Sequence, residues 1–394
     1  MIKAKKQTLI LILGALAAIG PFSIDMYLPA FSVISKDLDA DIAKVGLTLS
    51  SFFIGISLGQ LIYGPILDRF GRKIPLQIGL IIYVIACVSS ALSGSIEWLI
   101  TQRFLMALGG CAGMVATRAI IRDIFPVTEI AKIFSMLMLV MGIAPIIAPT
   151  VGGWVLTFSN WRVIFYILAT FGFLLLLLVQ FFLPESKITD KSVSLNPKAI
   201  FESYIKVFKI RKFLLFTIAG GTGMAAMFAY IAGSPFVLMK MFHFSEAEYG
   251  MLFGLNAFGF ILGSQLNRVF LKHFSSLQIS KIATIVIVFL GATLTVNSFF
   301  PQPNVFIMLA SIFMFLLNLG LLAPNTSALA LEPFSQNAGI ASALIGTLQM
   351  IFGALASVAV STFHNQTSLP MALTMGVCGL FSFISLTFIK NNPR

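Results

Sequence analysis

Charge is what this chain has little of. Only 10% of its 394 residues are Asp, Glu, Lys or Arg, against 58% hydrophobic residues, and the mean hydropathy is +0.98. A water-soluble domain of this size could not hide that much apolar surface in one core, so lipid must be the solvent for most of it. Cysteine and histidine are scarce too, at three each. Cys87, Cys111 and Cys378 fall in apolar stretches, at spacings that fit neither a disulfide framework nor a metal site. His243, His273 and His364 are scattered near stretch ends, where interfacial side chains are expected rather than ligands. No Walker loop is present, which excludes ATP as the energy source. No Ser–His–Asp constellation exists either. The expectation is therefore no enzyme, no metal and no cofactor.

What the chain does have is twelve apolar stretches, centred near Leu16, Gly55, Ile82, Gly109, Gly142, Phe173, Met227, Phe258, Val286, Phe315, Met350 and Phe381. Each approaches the roughly 20 residues that a spanning helix needs. The runs are continuous rather than alternating, so helices are expected and not barrel strands. Lys3, Lys5 and Lys6 precede the first stretch and mimic a signal peptide. That stretch continues past Pro21 to Pro29, too long for a cleaved segment, and reads as a retained first helix.

The formal net charge of +12 is explained by topology and does not call for nucleic acid. With a cytoplasmic amino terminus and twelve spans, the inside segments hold 20 of the 26 Lys and Arg residues. The outside segments hold Lys36, Lys44, Arg162 and Lys240, while Arg103 and Arg118 fall within a span. This asymmetry puts both termini in the cytoplasm. The longest polar segment, Pro184 to Lys212, divides six stretches from six. The expected organisation is a first six-helix bundle over 1–183, a cytoplasmic linker over 184–212 and a second bundle over 213–394. Within the linker, Ile200, Tyr204, Val207 and Phe208 share one face of an amphipathic helix expected to lie on the membrane surface. A weak echo between Phe52–Asp68 and Asn256–Arg268 suggests that the two halves are related.

Of 14 acidic residues, only Asp25 lies within the span of an apolar stretch. A carboxylate there loses hydration, so its charged form is costly. Arg103 raises the same problem with opposite sign. A guanidinium cannot shed its proton and needs partners in an apolar span. Counting from the stretch ends puts Asp25 and Arg103 at similar depth, which suggests a switchable proton site. A fixed ion pair, or an Arg capping carbonyls, is the alternative. Arg118, one turn before Arg122, is expected to snorkel to the interface.

Two further segments stand out. The loop Gly64-Pro65-Ile66-Leu67-Asp68-Arg69-Phe70-Gly71-Arg72-Lys73 combines turn residues with charges. Asp123 closes the fourth stretch on the same side. Gly64 and Pro65 are expected to make the tight turn. Asp68, Arg72 and Asp123 are expected to form a charge cluster that latches helix ends. In the fifth stretch, Gly142, Pro145, Pro149, Gly152 and Gly153 should bend a helix and let a neighbour approach closely. Among 39 phenylalanines and 17 methionines most must face lipid or pack helices. Tyr27, Phe31, Tyr230, Phe236, Phe258, Asn256, Asn325 and Gln349 are the candidates to line a substrate cavity.

These segments carry a resemblance. Gly64, Asp68, Gly71, Arg72 and Lys73 resemble the signature loop of the major facilitator superfamily. Arg103 to Gly109 resembles the fourth-helix arginine motif of its proton-coupled members, and Gly142 to Gly153 the fifth-helix motif of its antiporters. The run Ile24 to Pro29 and the segment Pro324 to Phe334, followed by Ala338 to Leu344, resemble the bicyclomycin-resistance (Bcr/CflA) drug exporters. Arg69 stands where many relatives have a small or polar residue, and Leu108 replaces a frequent Gln. The resemblance implies a twelve-helix fold of two pseudo-symmetric bundles and alternating access. It further implies antiport of drug-like small molecules against protons across the inner membrane, with a monomer as the expected form. An exporter of one metabolite, such as an amino acid or peptide, and a non-transporting receptor are the alternatives. Reporters fused after Ser192 and after Arg394 should report cytoplasm, and fusions near Asp39 and Gln366 periplasm. A periplasmic signal after Ser192 would contradict the twelve-span topology.

Overall fold

The computed structural model describes residues 2–190, 197–334 and 338–389, and these are overwhelmingly helical. The long helices follow from the apolar runs, and their starts follow from local capping. Asp41, Ser95, Asn160 and Asn304 each accept a backbone N–H from the first turn of the helix they open. Ser245 with Glu248, and Ser275 with Gln278, form full capping boxes. Such caps stabilise a helix start by about 1 kcal/mol each.

The first apolar run makes α1 (Ile2–Asp25), a 3-10 turn (Leu28–Ala30) and α2 (Phe31–Asp37). There follow α3 (Ile42–Phe70), α4 (Lys73–Ala91), α5 (Ile96–Ile124), α6 (Val127–Phe158) and α7 (Trp161–Phe182). The short α8 (Pro197–Phe208) falls where the amphipathic linker helix is expected, with Val207 buried. The second half comprises α9 (Arg211–Pro235) with a π-helical extension (Phe236–Met241), then α10 (Glu246–Phe270) and α11 (Ser276–Ser298). It closes with α12 (Val305–Leu331), α13 (Ala338–Thr362) and α14 (Leu369–Thr387).

Among the described residues, ten helical stretches are long and apolar enough to cross a membrane. The other two of the twelve expected are α6 and α10. Helix α6 has 32 residues, and its described apolar run is Ile143–Phe158. Helix α10 has 25 residues, long enough to span, with Glu246, Glu248 and Arg268 at its ends.

Helix adjacency shows why the two halves behave as copies. In the first half α3 packs on α5, α4 on α5 and on α7, and α1 on α5, α6 and α7. In the second half α10 packs on α12, α11 on α12 and on α14, and α9 on α12, α13 and α14. Each of these neighbour pairs recurs in the other half, six spans later. Two seams join the halves, α3 against α13 and α6 against α10, and they too exchange under this symmetry. The faint sequence echo between α3 and α10 thus falls on helices that occupy equivalent places.

Both seams are shut at the end of the bundle remote from the Gly71 turn, hereafter the far end. There Gly46 of α3 backs onto Ser361 of α13, and Ser50 Oγ donates to Ser357 Oγ at 2.9 Å. Gly153 of α6 lies so near α10 that an added Cβ would stand 2.7 Å from the Glu246 carbonyl oxygen. Backbone cannot yield as a side chain can, so Gly153→Leu should force the seam apart. Overpacking of this kind costs about 1–3 kcal/mol. The expected result is a folded protein in which a cysteine introduced at Ser357 becomes open to a membrane-impermeant maleimide, with transport reduced at least several-fold. Unchanged labelling and transport would place this face against lipid.

Candidate functional site

Asp25 is the last residue of α1, and it is 4% exposed. Helix α1 stops there because the chain turns at Met26-Tyr27 into Pro29, which has no N–H to continue the ladder. The turn touches α6, α9 and α10, so it lies where the first half meets the second. No hydrogen bond or ion pair reaches the Asp25 carboxyl among the described residues. Its electrostatic neighbours include the phenols of Tyr230 on α9 and Tyr249 on α10.

Arg103, on α5, is wholly buried. Its guanidinium lies 4.2 Å from the ring centroid of Tyr27, 4.3 Å from that of Phe52 and 6.0 Å from that of Phe165. Nη1 meets Met106 Sδ at 3.4 Å, and Nε and Nη2 have no hydrogen-bond partner among the described residues. Aromatic faces are negative, so this cation is held largely by quadrupoles rather than by a counter-ion. The expected approach of Arg103 to Asp25 is therefore not what this conformation contains. The turn after Asp25 places the Tyr27 ring on the guanidinium, and no ion pair or hydrogen bond joins Arg103 to Asp25 among the described residues. Tyr27 is itself anchored by a hydroxyl contact with Thr48, and Ser23 meets Tyr83 Oη at 2.8 Å.

A second cluster sits at the opposite end of α3. The Arg72 side chain is 2% exposed. Its Nη1 donates to Asp68 Oδ1 at 2.9 Å and its Nε to Asp123 Oδ2 at 2.7 Å. Burial works against its charge, but the hydrogen bonds and charges of Asp123 and Asp68 outweigh this and raise its pKa further. The chain after α7 folds back over this cluster. Glu185 accepts the backbone N–H groups of Arg72 and Lys73 at 2.7 and 3.0 Å, a carboxylate capping the start of α4. Lys187 Nζ donates to Asp68 Oδ1 at 2.9 Å. Lys73 Nζ instead reaches the Gln180 carbonyl at 2.8 Å.

The turn lies elsewhere than expected. Gly64 and Pro65 are inside α3, and nothing lies within 4 Å of where a Gly64 Cβ would be. The reversal is made by Gly71, whose φ of +86° favours glycine, and a Cβ there would stand 2.8 Å from Glu185 Oε2. Glu185 and Lys187 escape sequence reasoning because their partners lie more than 100 residues away. The Pro184-Glu185 pair next to the sixth stretch is the only local signal.

In the fifth-stretch motif, Pro145 and Pro149 lie within α6. Gly152 abuts the Met26 carbonyl, and Gly153 abuts α10. The surroundings of Gly142 lie outside the described residues. The cavity candidates divide. Phe31 and Phe236 line a small cavity of about 20 Å³ at the far end, together with His364. Asn256 Nδ2 donates to Tyr230 Oη at 3.1 Å. Asn325 is buried against Asn267 at 2.6 Å, holding α12 to α10. Gln349 is half-buried on α13 near Gly221, and Phe258 is exposed on α10. Arg118 is exposed as well. Among the described residues no group of His, Cys, Asp and Glu could hold a metal ion.

The Major Facilitator Superfamily profile matches residues 13–357. The chain belongs to the major facilitator superfamily. It is 30% identical over 382 residues to the bicyclomycin resistance protein homolog of Haemophilus influenzae, covering 97% of this chain and 96% of that one. It is 34% identical over 388 residues to the uncharacterized MFS-type transporter YdgK of Bacillus subtilis, with 97% and 96% covered. Identity to multidrug resistance protein D of Escherichia coli is 27% over 379 residues, with 95% and 94% covered. The fold matches the partially occluded, inward-open xylose transporter XylE of E. coli, with a TM-score of 0.75 at 14% identity and 97% of both chains covered. The nucleoside transporter NupG matches with a TM-score of 0.74 at 16% identity, covering 97% and 98%. This facilitator is thus a multi-pass membrane transporter for small molecules, not an enzyme.

The charge cluster yields a sharp test in this facilitator. Arg72→Lys keeps the charge but loses the fork that meets Asp68 and Asp123 together. Loss of about 1–3 kcal/mol from a two-state balance changes a rate or affinity five- to hundredfold. Transport should fall by that order while membrane insertion is unchanged. Glu185→Gln should give a milder defect in the same direction. Wild-type rates in both would make the cluster a topology signal only.

Proposed function

We propose that this facilitator is a proton-coupled exporter of small amphipathic or hydrophobic compounds, working by alternating access in the inner membrane with both termini cytoplasmic. The observation that carries the reading is Asp25. It is buried where the two halves meet, with no cation bonded to it among the described residues. A transporter gains nothing structural from such a group, because an unpaired carboxylate in a dry seam is costly unless it takes up a proton. The names of the bicyclomycin-resistance and multidrug-resistance relatives supply the compound class.

On this reading the far end is the external face and the Asp68–Arg72–Asp123 cluster lies on the cytoplasmic face. The seams closed at Gly46 and Gly153 then seal the outside. Opening outward separates these seams, wets Asp25 and lets a proton in. Antiport needs only that proton and compound favour opposite states. Protonation of Asp25 lets the far end close over a neutral carboxyl. Loss of the proton, with compound bound, favours reopening outward. The cytoplasmic cluster acts as a latch on that equilibrium. The six-span units over 1–183 and 213–394 are the rocking bodies, with 184–212 as the link, and a monomer contains the whole mechanism.

Asp25→Asn keeps the shape and removes the proton. Cells lacking their main efflux pumps and expressing this variant should accumulate the compound as if treated with an uncoupler. Purified Asp25→Asn should still bind it. Asp25→Glu should keep part of the activity with a displaced pH optimum. Export by Asp25→Asn that an uncoupler abolishes would move the proton site elsewhere. A metabolite exporter would instead leave drug accumulation unchanged in wild-type cells.

A further inference from the structure

The two halves part at the Gly71 end, and an arginine without a partner stands in the gap. Gly46, Ser50, Phe53, Gln60 and Gly64 follow one another at helical spacing on one face of α3. The first four meet the second half. Gly46 backs onto Ser361 and Ser50 bonds Ser357, while Phe53 lies against the Phe228 ring of α9 at 4.4 Å and the Gln60 amide abuts Gly346 of α13. At Gly64 the contact is gone, with nothing among the described residues within 4 Å of where its Cβ would be. The seam is therefore shut as far as Gln60 and open from Gly64 onward.

Arg118 lies at this depth. Helices α3 and α5 run side by side, with Gly55 against Ala107 and Gly59 against Cys111, which sets Gly64 within a turn of Arg118. Thr117 bonds the Leu13 carbonyl of α1, and Cys111 bonds the Ile56 carbonyl of α3. Gly109 and Ala112, on the opposite side of α5, meet Gly79 of α4. Helical spacing then points Arg118 between α1 and α3, away from α4 and toward the gap. Its guanidinium is open to water yet crowded by protein, as in a recess rather than at a lipid interface. Arg122 follows one turn nearer the Gly71 end and is exposed. Like charges one turn apart on a helix repel, so the pair needs a reason. Neither arginine has a hydrogen bond or ion pair among the described residues. The carboxylates of this end are engaged elsewhere, Asp68 and Asp123 by Arg72, and Glu332 by Lys212.

We propose that Arg118, assisted by Arg122, is an anion subsite in this recess, and that the compounds taken up there carry a sulfonate, carboxylate or phosphate head on an apolar body. A guanidinium that faces water with no acid beside it matches such a head, because its planar fork donates two hydrogen bonds to one oxyanion. The apolar body extends past Gln60 toward the Phe53 and Phe228 rings. Arg122, nearer the mouth, draws the anion in, and Arg118 holds it. The pair thereby determines specificity, favouring anionic amphiphiles over cationic ones of the same shape.

The substrate class rests on the export reading, and two measurements keep them apart. Binding of octanesulfonate and of uncharged octanesulfonamide to purified protein in maltoside micelles is measured by calorimetry at fixed pH and ionic strength, with empty micelles subtracted. Wild type should bind the sulfonate about tenfold more tightly, the scale of one charge-assisted hydrogen bond. Arg118→Gln should bring the ratio near one, Arg118→Lys should keep part of it, and Arg122→Gln should lower it by less. Lys240→Gln, which removes an exposed charge at the far end, should leave it unchanged. Phosphatidylglycerol added to the micelles should not displace the sulfonate. Displacement would assign the pair to lipid headgroups and overturn the inference. So would failure of the sulfonate to bind wild type, equal affinities there, or an undiminished preference in folded Arg118→Gln. Uptake of octanesulfonate into energised everted vesicles tests export separately. Arginine-dependent binding with no uncoupler-sensitive uptake would overturn the export reading and leave the anion site standing.

Discussion

In hydrocarbon a polar group has no water to fall back on, and the placement of nearly every charge in this chain follows from that. Backbone groups are satisfied within helices. Charged side chains gather at helix ends, where they bond one another or reach water. Arg72 meets two aspartates, Asp37 meets Arg162 and the Trp161 indole, and Lys212 meets Glu332, all at the ends of helices. Asp25 and Arg103 break the pattern. Each is buried well inside its span, and neither is neutralised by the other.

The two-fold relation between halves gives this exception its meaning. Because each half repeats the other's packing, the seams α3–α13 and α6–α10 are equivalent, and rocking one half on the other can shut either end without rebuilding a core. Motion then needs interfaces that close tightly yet hold no permanent bond. Glycine against backbone at Gly153, and against the Ser361 side chain at Gly46, meets that demand, since such contacts are close but make few hydrogen bonds. The charge cluster at the Gly71 turn has no counterpart in the loop between α10 and α11, where Leu271-Lys272-His273-Phe274 lacks the aspartates and arginine. The repeat has kept its architecture and let its charges diverge.

Much of this was legible in the residues. The apolar runs gave the spans, and Asp25 declared itself as an acid with no neighbours of its kind. The Asp68–Arg72–Asp123 contact could be anticipated because the signature loop is local and charged. What stayed hidden was pairing over long sequence distance. Glu185 and Lys187 reach the loop only after four helices have folded. The site of the turn was misjudged because Gly64-Pro65 has turn chemistry, yet a long apolar helix tolerates it and the reversal waits for Gly71 with its positive φ. The relation of Asp25 to Arg103 was misjudged for a similar reason. Depth along a span can be counted from sequence, but the direction a side chain faces depends on where its helix breaks.

That break also accounts for an arginine being tolerated without a counter-ion. Three rings, Tyr27, Phe52 and Phe165, come from three different elements of one half, and they surround the guanidinium only because the turn after Asp25 carries Tyr27 inward. A lysine would be a poor substitute, since its compact ammonium is more strongly hydrated and cannot lie flat against two faces. Cation–π contact holds the charge without quenching it. Nε and Nη2 of Arg103 have no hydrogen-bond partner among the described residues, so an anion that came near would be attracted at once. The structure holds that cation among the rings of the first half, with no ion pair to the Asp25 carboxyl among the described residues. An ion pair between them would have tied both charges into a single rigid bundle. Kept apart, they leave the Asp25 carboxyl free to respond to what the second half presents.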